Sequence, residues 1–240
     1  MNIAAVLWDF DGTILDTMAN HFLINREIYS LVHADFKKEQ WPEALSSLEN
    51  YARAEYETIN WRDFYRKCCN FSTTQIDHIG RLWGEISSKN KTFVQIFQGI
   101  VEVIKKIKSP QGICSQNSSH TIRYLLQEYK IDQHFTSIIG NTDISFERQK
   151  PHPEAFLLSI EKLNIKNDGI IFYIGDHNED IKFANNAETA LKNLGYNFKV
   201  LSIAACYGRP NFIPWDIEPD YKASKTSDIL DIIEQHNLVK

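Results

Sequence analysis

The chain has 240 residues, of which 43% are hydrophobic, 12% aromatic and 24% charged. This composition is typical of a folded globular protein and excludes collagen, coiled coils and disordered chains. The 26 basic and 31 acidic residues give a formal net charge of −5, which argues against a nucleic-acid partner because phosphate-backbone binding generally needs a basic face. The apolar run Ile3–Trp8 is interrupted by Asp9 and is too short to span a membrane. We therefore expect a soluble protein without nucleic-acid or membrane partners.

The predicted elements begin with one strand and a long helical block. Ile3–Trp8 is a short, partly β-branched apolar run, which predicts a buried strand. From about residue 17 to 88 the chain is poor in glycine, and its aromatic residues recur at helical spacing, which predicts helices. This block follows the first strand and precedes all the others, so it is expected to form an inserted, all-helical cap over residues 17–89.

After Gly99 predicted helices and strands alternate along the chain. The predicted strands are 112–115, 136–139, 170–174 and 199–203, and the predicted helices are 100–107, 121–129, 153–163, one from about 179, and 227–235. Such alternation predicts βαβ units and therefore a Rossmann-like α/β core, a parallel sheet flanked by helices, built from residues 1–16 and 90–240. Because open parallel sheets bind ligands at the carboxyl ends of their strands, the functional site is expected just after each strand.

The four cysteines indicate the compartment. Cys68, Cys69, Cys114 and Cys206 form no CxxC motif and no metal-binding spacing with histidine. Adjacent cysteines cannot easily bridge each other, so free thiols in the reducing environment of the cytoplasm are expected.

Two carboxylates directly follow the first predicted strand. Asp9 and Asp11 stand two residues apart, and Gly12 lets the backbone approach an anion that neighbouring amides can cradle. One ionised acid can attack an electrophile while its neighbour stays protonated and transfers a proton. The alternative is a surface Asp-Gly turn, which this dipeptide often forms.

Polar residues also follow the next two predicted strands. Ser115 stands at a strand end before a helix, which is a ready anion site. The alternative is a helix cap by Ser118 or Ser119, and for this motif alone the cap is favoured. Lys150 is followed by Pro151 and Pro153, so its backbone is stiff, whereas a lone lysine is commonly a solvated charge.

The fourth strand end adds Asp176 and Asp180, whose oxygens suit a hard cation. An acidic helix N-terminus is the alternative, and it accounts for Glu179 but not for Asp176 behind a buried strand. Taken together, these residues form a constellation for phosphoryl transfer. In it Mg²⁺ and Lys150 would neutralise the phosphate and an aspartate would attack phosphorus.

In these motifs the chain resembles the haloacid dehalogenase superfamily, in its phosphatase branch with a helical cap inserted after the first motif. The resemblance runs from residue 3 to about 187, and its motifs stand in the expected order: DFDGTILDT, GICSQNSS, KPHPEAF and YIGDHNEDIKFANNA.

The resemblance implies a role for each acidic residue. Asp9 would be the nucleophile that forms an aspartyl-phosphate, and Asp11 would protonate the leaving oxygen and then activate water. Mg²⁺ would be held by Asp9, the backbone carbonyl of Asp11 and Asp176, with Asp180 nearby and also holding Lys150.

The resemblance further implies that Ser115 and Lys150 grip the phosphoryl oxygens. Gly12, Thr13 and Gln116 would line the phosphate site, partly through backbone amides.

The implied function is a Mg²⁺-dependent phosphomonoester hydrolase for a small phosphorylated metabolite, with phosphoglycolate as the family's commonest candidate. Dehalogenases of the superfamily lack the second acid, Asp11, and Gly175 stands where β-phosphoglucomutase-like mutases carry glutamate. Both features favour hydrolysis. A mutase and a catalytically idle, phosphate-binding regulatory module remain the alternatives, and the sequence leaves a monomer and a dimer equally open.

Overall fold

The computed structural model describes residues 2–33, 37, 40–89, 94–165, 168–210 and 213–237. The chain divides into two compact units. The sheet unit comprises Met1–Leu15, Ile96–Arg209 and Pro214–Lys240, and the helical unit comprises Asp16–Gln95 and Pro210–Ile213. The boundaries predicted from sequence at 16/17 and 89/90 stay predictions, and residue 90 lies outside the described residues.

The strands and helices have the following bounds. The strands are β1 (Ile3–Trp8), β2 (Leu15–Asp16), β3 (Gln95–Ile96), β4 (Gln111–Cys114), β5 (Ser137–Ile139), β6 (Asp168–Gly175), β7 (Asn197–Ala205) and β8 (Tyr221–Ala223). The helices are α1 (Met18–Val32), α2 (Leu48–Glu57), α3 (Trp61–Cys68), α4 (Thr73–Lys89), α5 (Ile100–Lys106), α6 (Ser119–Glu128), α7 (Glu154–Leu163), α8 (Asn178–Asn193) and α9 (Asp228–Asn237).

The sheet unit contains a six-stranded parallel sheet in the order β5-β4-β1-β6-β7-β8. This confirms the predicted Rossmann-like α/β class. The central strands are apolar on both faces because helices cover both sides of a parallel sheet, and Ala5, Val6 and Leu7 of β1 are fully buried. Leu7 packs with Phe156 of α7 and Phe183 of α8 in one core cluster.

The structure shortens one predicted strand and adds a strand that was not predicted. The strand predicted to end at Ser115 ends at Cys114, which puts Ser115 in the loop beyond the strand. The short edge strand β8, Tyr221–Ala223, was not predicted, because three residues carry too little periodicity to stand out.

The helical unit has its own core, built from α1 to α4. Its buried side chains include Ile24, Ile28, Tyr51, Phe64, Tyr65, Ile76 and Ile79. Two of its helices begin at side-chain caps: Ser47 accepts a hydrogen bond from Asn50 N, and Asn60 accepts hydrogen bonds from the backbone at the start of α3.

Two further expectations can be compared with the structure. Cys68, Cys69, Cys114 and Cys206 are free thiols, and the reducing compartment stays a prediction. Across the described part of the chain, none of the helices combines the length and the apolar character needed to cross a bilayer.

Candidate active site

The loops after β1, β4 and β6 meet at one edge of the sheet, because β1 pairs with β4 on one side and with β6 on the other. Asp9 follows β1, Ser115 follows β4 and Asp176 follows β6. Backbone hydrogen bonds extend the pairing past the strand ends: Asp9 N donates to Ile174 O at 2.7 Å, and Ser115 N donates to Ile139 O at 3.0 Å. The predicted convergence of polar residues at this edge is therefore what the parallel register produces.

The centre of the site is a buried cluster of three carboxylates. Asp9, Asp176 and Asp180 each place an oxygen within 4.8 Å of the others. Lys150 lies against this cluster, with its Nζ 2.6 Å from Asp9 Oδ1 and 2.8 Å from Asp180 Oδ1. Only 7% of Lys150 is exposed, so it is not the solvated lysine of the alternative interpretation.

Burial and charge act in opposite directions on Lys150. Burial alone would lower the pKa of Lys150, but the carboxylates of Asp180 and Asp9 raise it above its ordinary value. The ammonium also lies 5.2 Å from the ring centre of Tyr173 and 5.4 Å from that of Phe183, distances at which aromatic faces stabilise a cation. Lys150 is therefore a fixed positive charge at the strand ends.

Burial has the contrary consequence for Asp9. It raises the pKa of the Asp9 carboxyl well above its usual range, and the neighbouring Asp180 and Asp176 add to this, while Lys150 opposes it. A further positive charge beside Asp9 would favour its ionised form.

Asp180 is held on both carboxylate oxygens by groups of the protein. Its Oδ1 accepts hydrogen bonds from Lys150 Nζ and from the Tyr173 hydroxyl at 3.3 Å, and its Oδ2 accepts one from His177 N at 3.0 Å. The last contact caps α8, since His177 is the residue before the first turn of that helix. Asp180 thus connects the lysine, the strand β6 and the helix α8.

The loop after Asp9 packs closely on Asp176. Gly12 has a φ of +74°, and a Cβ at this position would lie 2.3 Å from Asp176 Oδ2, so no side chain fits there. The buried hydroxyl of Thr13 donates to Asp176 Oδ1 at 3.2 Å. This hydroxyl faces the carboxylate, and Gly12 N donates to Leu15 O at 2.8 Å. The backbone N–H of Thr13 is therefore the donor of these two residues that can meet an anion.

Asn117 also joins the site, although sequence reasoning missed it. Its Nδ2 donates to Asp11 Oδ2 at 3.0 Å, and its backbone N donates to Ser115 Oγ at 3.2 Å. The neighbouring Gln116 donates from Nε2 to the carboxylate of Glu179. The sequence could have indicated Asn117, because it lies in the same polar run, SQNSS, as Ser115 and Gln116.

Comparison with known proteins places this architecture in a family. The sequence profile described as haloacid dehalogenase-like hydrolase matches residues 6–192. The chain belongs to the haloacid dehalogenase-like hydrolase family. This confirms the resemblance drawn from the four motifs, and it makes the protein an enzyme of the hydrolase class.

Relatives of this hydrolase family match over nearly the full chain. Pyrophosphatase PpaX of Bacillus mycoides is 24% identical over 237 residues, which cover 99% of this chain and 100% of the relative. Pyrophosphatase PpaX of Anoxybacillus flavithermus is 23% identical over 237 residues, covering 97% of this chain and 98% of the relative.

Solved structures of the family share the fold. A haloacid dehalogenase-like hydrolase from Streptococcus pneumoniae superposes with a TM-score of 0.71 at 15% identity, covering 96% of this chain and 98% of that one. A Lactobacillus plantarum protein named as a candidate phosphoglycolate phosphatase superposes with a TM-score of 0.75 at 17% identity, covering 97% and 100%.

The acidic cluster of this hydrolase fits the Mg²⁺ that the resemblance implies. Its donors are carboxylate oxygens, which hard divalent cations prefer. Because Gly12 has no side chain, the Asp176 carboxylate can lie directly beside the loop that carries Asp9. Three buried carboxylates against the ammonium of Lys150 also leave negative charge that a divalent cation would balance.

Proposed function

We propose that this hydrolase cleaves phosphomonoesters of small metabolites in a Mg²⁺-dependent reaction through an aspartyl-phosphate on Asp9. One observation carries the proposal: the buried Asp9 carboxylate lies 2.6 Å from the buried Lys150 ammonium, with the second acid Asp11 two residues further on. A nucleophile, a fixed positive charge and a proton-transfer group are the parts that two-step phosphoryl transfer needs.

In the first half-reaction, an Asp9 carboxylate oxygen attacks phosphorus and the bond from phosphorus to the ester oxygen breaks. Asp11 donates its proton to that leaving oxygen, so the product departs as a neutral alcohol. The Asn117 amide, 3.0 Å from Asp11 Oδ2, orients this carboxyl group.

In the second half-reaction, Asp11 accepts a proton from water, and the resulting hydroxide attacks phosphorus. The bond between phosphorus and the Asp9 oxygen breaks, which releases inorganic phosphate and restores the Asp9 carboxylate. The same group therefore acts first as acid and then as base.

The phosphoryl oxygens are held by Lys150, the Ser115 hydroxyl and the backbone of Thr13 and Gln116. Gly12 lines the site without donating, because its N–H is bonded to Leu15 O. Asp9, Asp176 and the carbonyl of Asp11 would hold Mg²⁺, which supplies charge neutralisation at the phosphoryl oxygens when bound. We assign Asp180, placed near the cation in the sequence analysis, to anchoring Lys150, because both its oxygens already accept hydrogen bonds.

The backbone at Gly175 favours hydrolysis over mutase chemistry. A Cβ at Gly175 would lie 2.3 Å from Asp180 Cγ, which excludes the glutamate that mutases carry there while Asp180 holds its place. The intact Asp9 and Asp11 pair argues against an idle binding module.

Two substrates head the list to be tested. Phosphoglycolate is suggested by the family resemblance and by the name of the Lactobacillus plantarum structure. Pyrophosphate is suggested by the names of the Bacillus relatives. The cytoplasmic location, in keeping with the free thiols, and the choice between monomer and dimer stay predictions.

The test is hydrolysis of p-nitrophenyl phosphate with Mg²⁺, with EDTA, and with the Asp9→Asn variant. We expect turnover that needs Mg²⁺ and is lost in the variant, followed by a panel that starts with phosphoglycolate and pyrophosphate. If the artificial ester is not cleaved, beryllium fluoride binding separates a selective enzyme, which traps it at Asp9, from an idle fold, which does not.

A further inference from the structure

The turn that follows β7 lies on the loop that carries Asp9 and Asp11. Residues Cys206–Gly208 form a single 3-10 turn directly after the strand. The hydroxyl of Tyr207 donates to the backbone carbonyl of Thr13 at 2.7 Å, across 194 residues of sequence. Its ring meets Phe97 edge to face, with ring centres 5.1 Å apart. Tyr207 therefore connects the end of β7 to the loop that follows β1.

Gly208, the next residue, brings the backbone of the turn close to the backbone of the Asp9 loop. A Cβ at Gly208 would lie 2.7 Å from the carbonyl oxygen of Gly12 and 2.7 Å from Cζ of Phe97. Glycine is needed here for close backbone approach. The turn thus contacts two successive residues of the Asp9 loop, Gly12 and Thr13.

Arg209 reaches the second acidic loop from the same turn. Its Nη1 donates to the backbone carbonyl of Asp176 at 3.1 Å, and its Nη2 donates to that of Pro214 at 2.6 Å. The guanidinium stacks on the Trp215 ring, 4.3 Å from the ring centre, and only 6% of Arg209 is exposed. A buried arginine with this many fixed contacts is held in one orientation.

We propose that Tyr207, Gly208 and Arg209 form a clasp that sets the spacing of the two acidic loops and thereby raises the affinity of the site for Mg²⁺. The inference rests on the proposed function, because it assigns the cation to Asp9, Asp176 and the carbonyl of Asp11. Tyr207 and Gly208 hold the loop of Asp9, and Arg209 holds Asp176 by its main chain. The three are positioning residues, since none is among the proposed ligands.

The spacing of the ligands decides the affinity of a site for a hard cation. The Asp176 carboxylate already lies against Gly12 and accepts a hydrogen bond from Thr13, so a small shift of either loop changes the distance between the two sets of donors. Substitution of outer-shell partners at metal sites typically weakens metal binding by about 10–100-fold. We expect a loss in this range for Arg209 and a smaller one for the Tyr207 hydroxyl.

The experiment measures Mg²⁺ binding by isothermal titration calorimetry in the full-length protein and Tm in EDTA. The variants are Arg209→Lys, which keeps the charge but loses the planar fork, and Tyr207→Phe, which loses only the hydroxyl. Arg148→Lys is the matched control, because Arg148 is an exposed arginine whose partner is Glu154.

We expect Mg²⁺ binding about 10-fold weaker in Arg209→Lys and measurably weaker in Tyr207→Phe, with the control unchanged. A lower Tm in EDTA with wild-type Mg²⁺ affinity would assign the clasp to stability alone and overturn the inference. If Arg209→Lys does not fold, Tyr207→Phe decides the question by the same criterion. If the wild type itself binds no Mg²⁺, the proposed function fails together with the inference. If the wild type binds Mg²⁺ and the variants bind it equally well, only the inference fails.

Discussion

The two units of the molecule each bury a polar cluster. The side chains at the centre of one cluster are uncharged, and those at the centre of the other are ionisable. In the helical unit, Asn25 donates to Tyr51 Oη at 3.0 Å and to His21 O at 2.8 Å, and it accepts from the Tyr65 hydroxyl. The side chains of Asn25, Tyr51 and Tyr65 are neutral, and the carboxylate of Glu55 adds a hydrogen bond to the Tyr51 hydroxyl. In the sheet unit, Lys150 lies between the carboxyl groups of Asp9 and Asp180. Burial raises the pKa of the Asp9 carboxyl well above its usual range.

The comparison separates polar burial that serves the fold from polar burial that serves chemistry. A neutral, fully paired network stabilises a core modestly and specifies which residues meet. Buried charges cost free energy that neutral side chains of the same shape would not, so they persist where the charge itself is used. The substitutions below test that contrast, starting with the largest expected effect.

Asp9→Asn is expected to abolish turnover while leaving the fold intact. The amide cannot attack phosphorus, so hydrolysis should fall by on the order of 1,000-fold or more. The folded-state pKa of Asp9 is raised above its unfolded value, so ionisation at neutral pH costs the folded state free energy that a neutral amide avoids. The variant also loses the 2.6 Å ion pair with Lys150, which keeps Asp180 at 2.8 Å, so urea unfolding in EDTA should give a free energy of unfolding close to that of the wild type.

Lys150→Met is expected to destabilise the sheet unit as well as inactivate it. Removing the ammonium leaves Asp9 and Asp180 buried without their cation, a change that typically costs about 3–5 kcal/mol. Urea unfolding in EDTA measures the loss. Lys199→Met, at an exposed lysine paired with Glu188, is the control and should change stability by less than about 1 kcal/mol. Equal losses in the two variants would contradict the role of Lys150 as a buried counter-charge.

Asn25→Leu tests the neutral cluster. The buried Tyr65 hydroxyl loses its acceptor, whereas the Tyr51 hydroxyl keeps its hydrogen bond to Glu55. We therefore expect a loss of about 1–3 kcal/mol. Circular dichroism during urea unfolding gives the value. Adding Tyr65→Phe should recover part of it, because the hydroxyl that lost its acceptor is then removed, and no recovery would count against the network.

Tyr173→Phe is expected to have the smallest effect. The hydroxyl donates to Cys114 O at 2.9 Å and to Asp180 Oδ1, so its loss should cost about 1 kcal/mol of stability. The ring remains below Lys150, and activity should fall only a few-fold. A large drop in activity would mean that the hydroxyl, and not the ring, holds the Asp180–Lys150 pair in place.

Much of the fold and of the candidate site could be predicted because local patterns and one topological rule determine them. Apolar runs located the main strands, and the rule that ligands bind at strand carboxyl ends brought Asp9, Ser115 and Asp176 to one edge. The structure confirms that they converge there, whereas their catalytic roles stay predictions.

What could not be predicted depends on contacts between distant parts of the chain. Nothing in the sequence around Arg209 indicates that its guanidinium reaches Asp176 O, because that contact is set by where β7 ends. Likewise, the engagement of both Asp180 oxygens follows from the packing of α8 against β6 and Lys150. The spacing of the motif identified Asp180, but it did not indicate which groups donate hydrogen bonds to its carboxylate.

The packing at Gly175 also bears on how this enzyme could change its chemistry during evolution. A glutamate introduced there by one substitution would collide with Asp180, and removing Asp180 first would take away one of the two carboxylates that hold Lys150. Each single step damages the existing catalyst before a new one is assembled. A mutational path from this hydrolase to a mutase would therefore pass through less active intermediates, because the space beside Gly175 is already filled by Asp180.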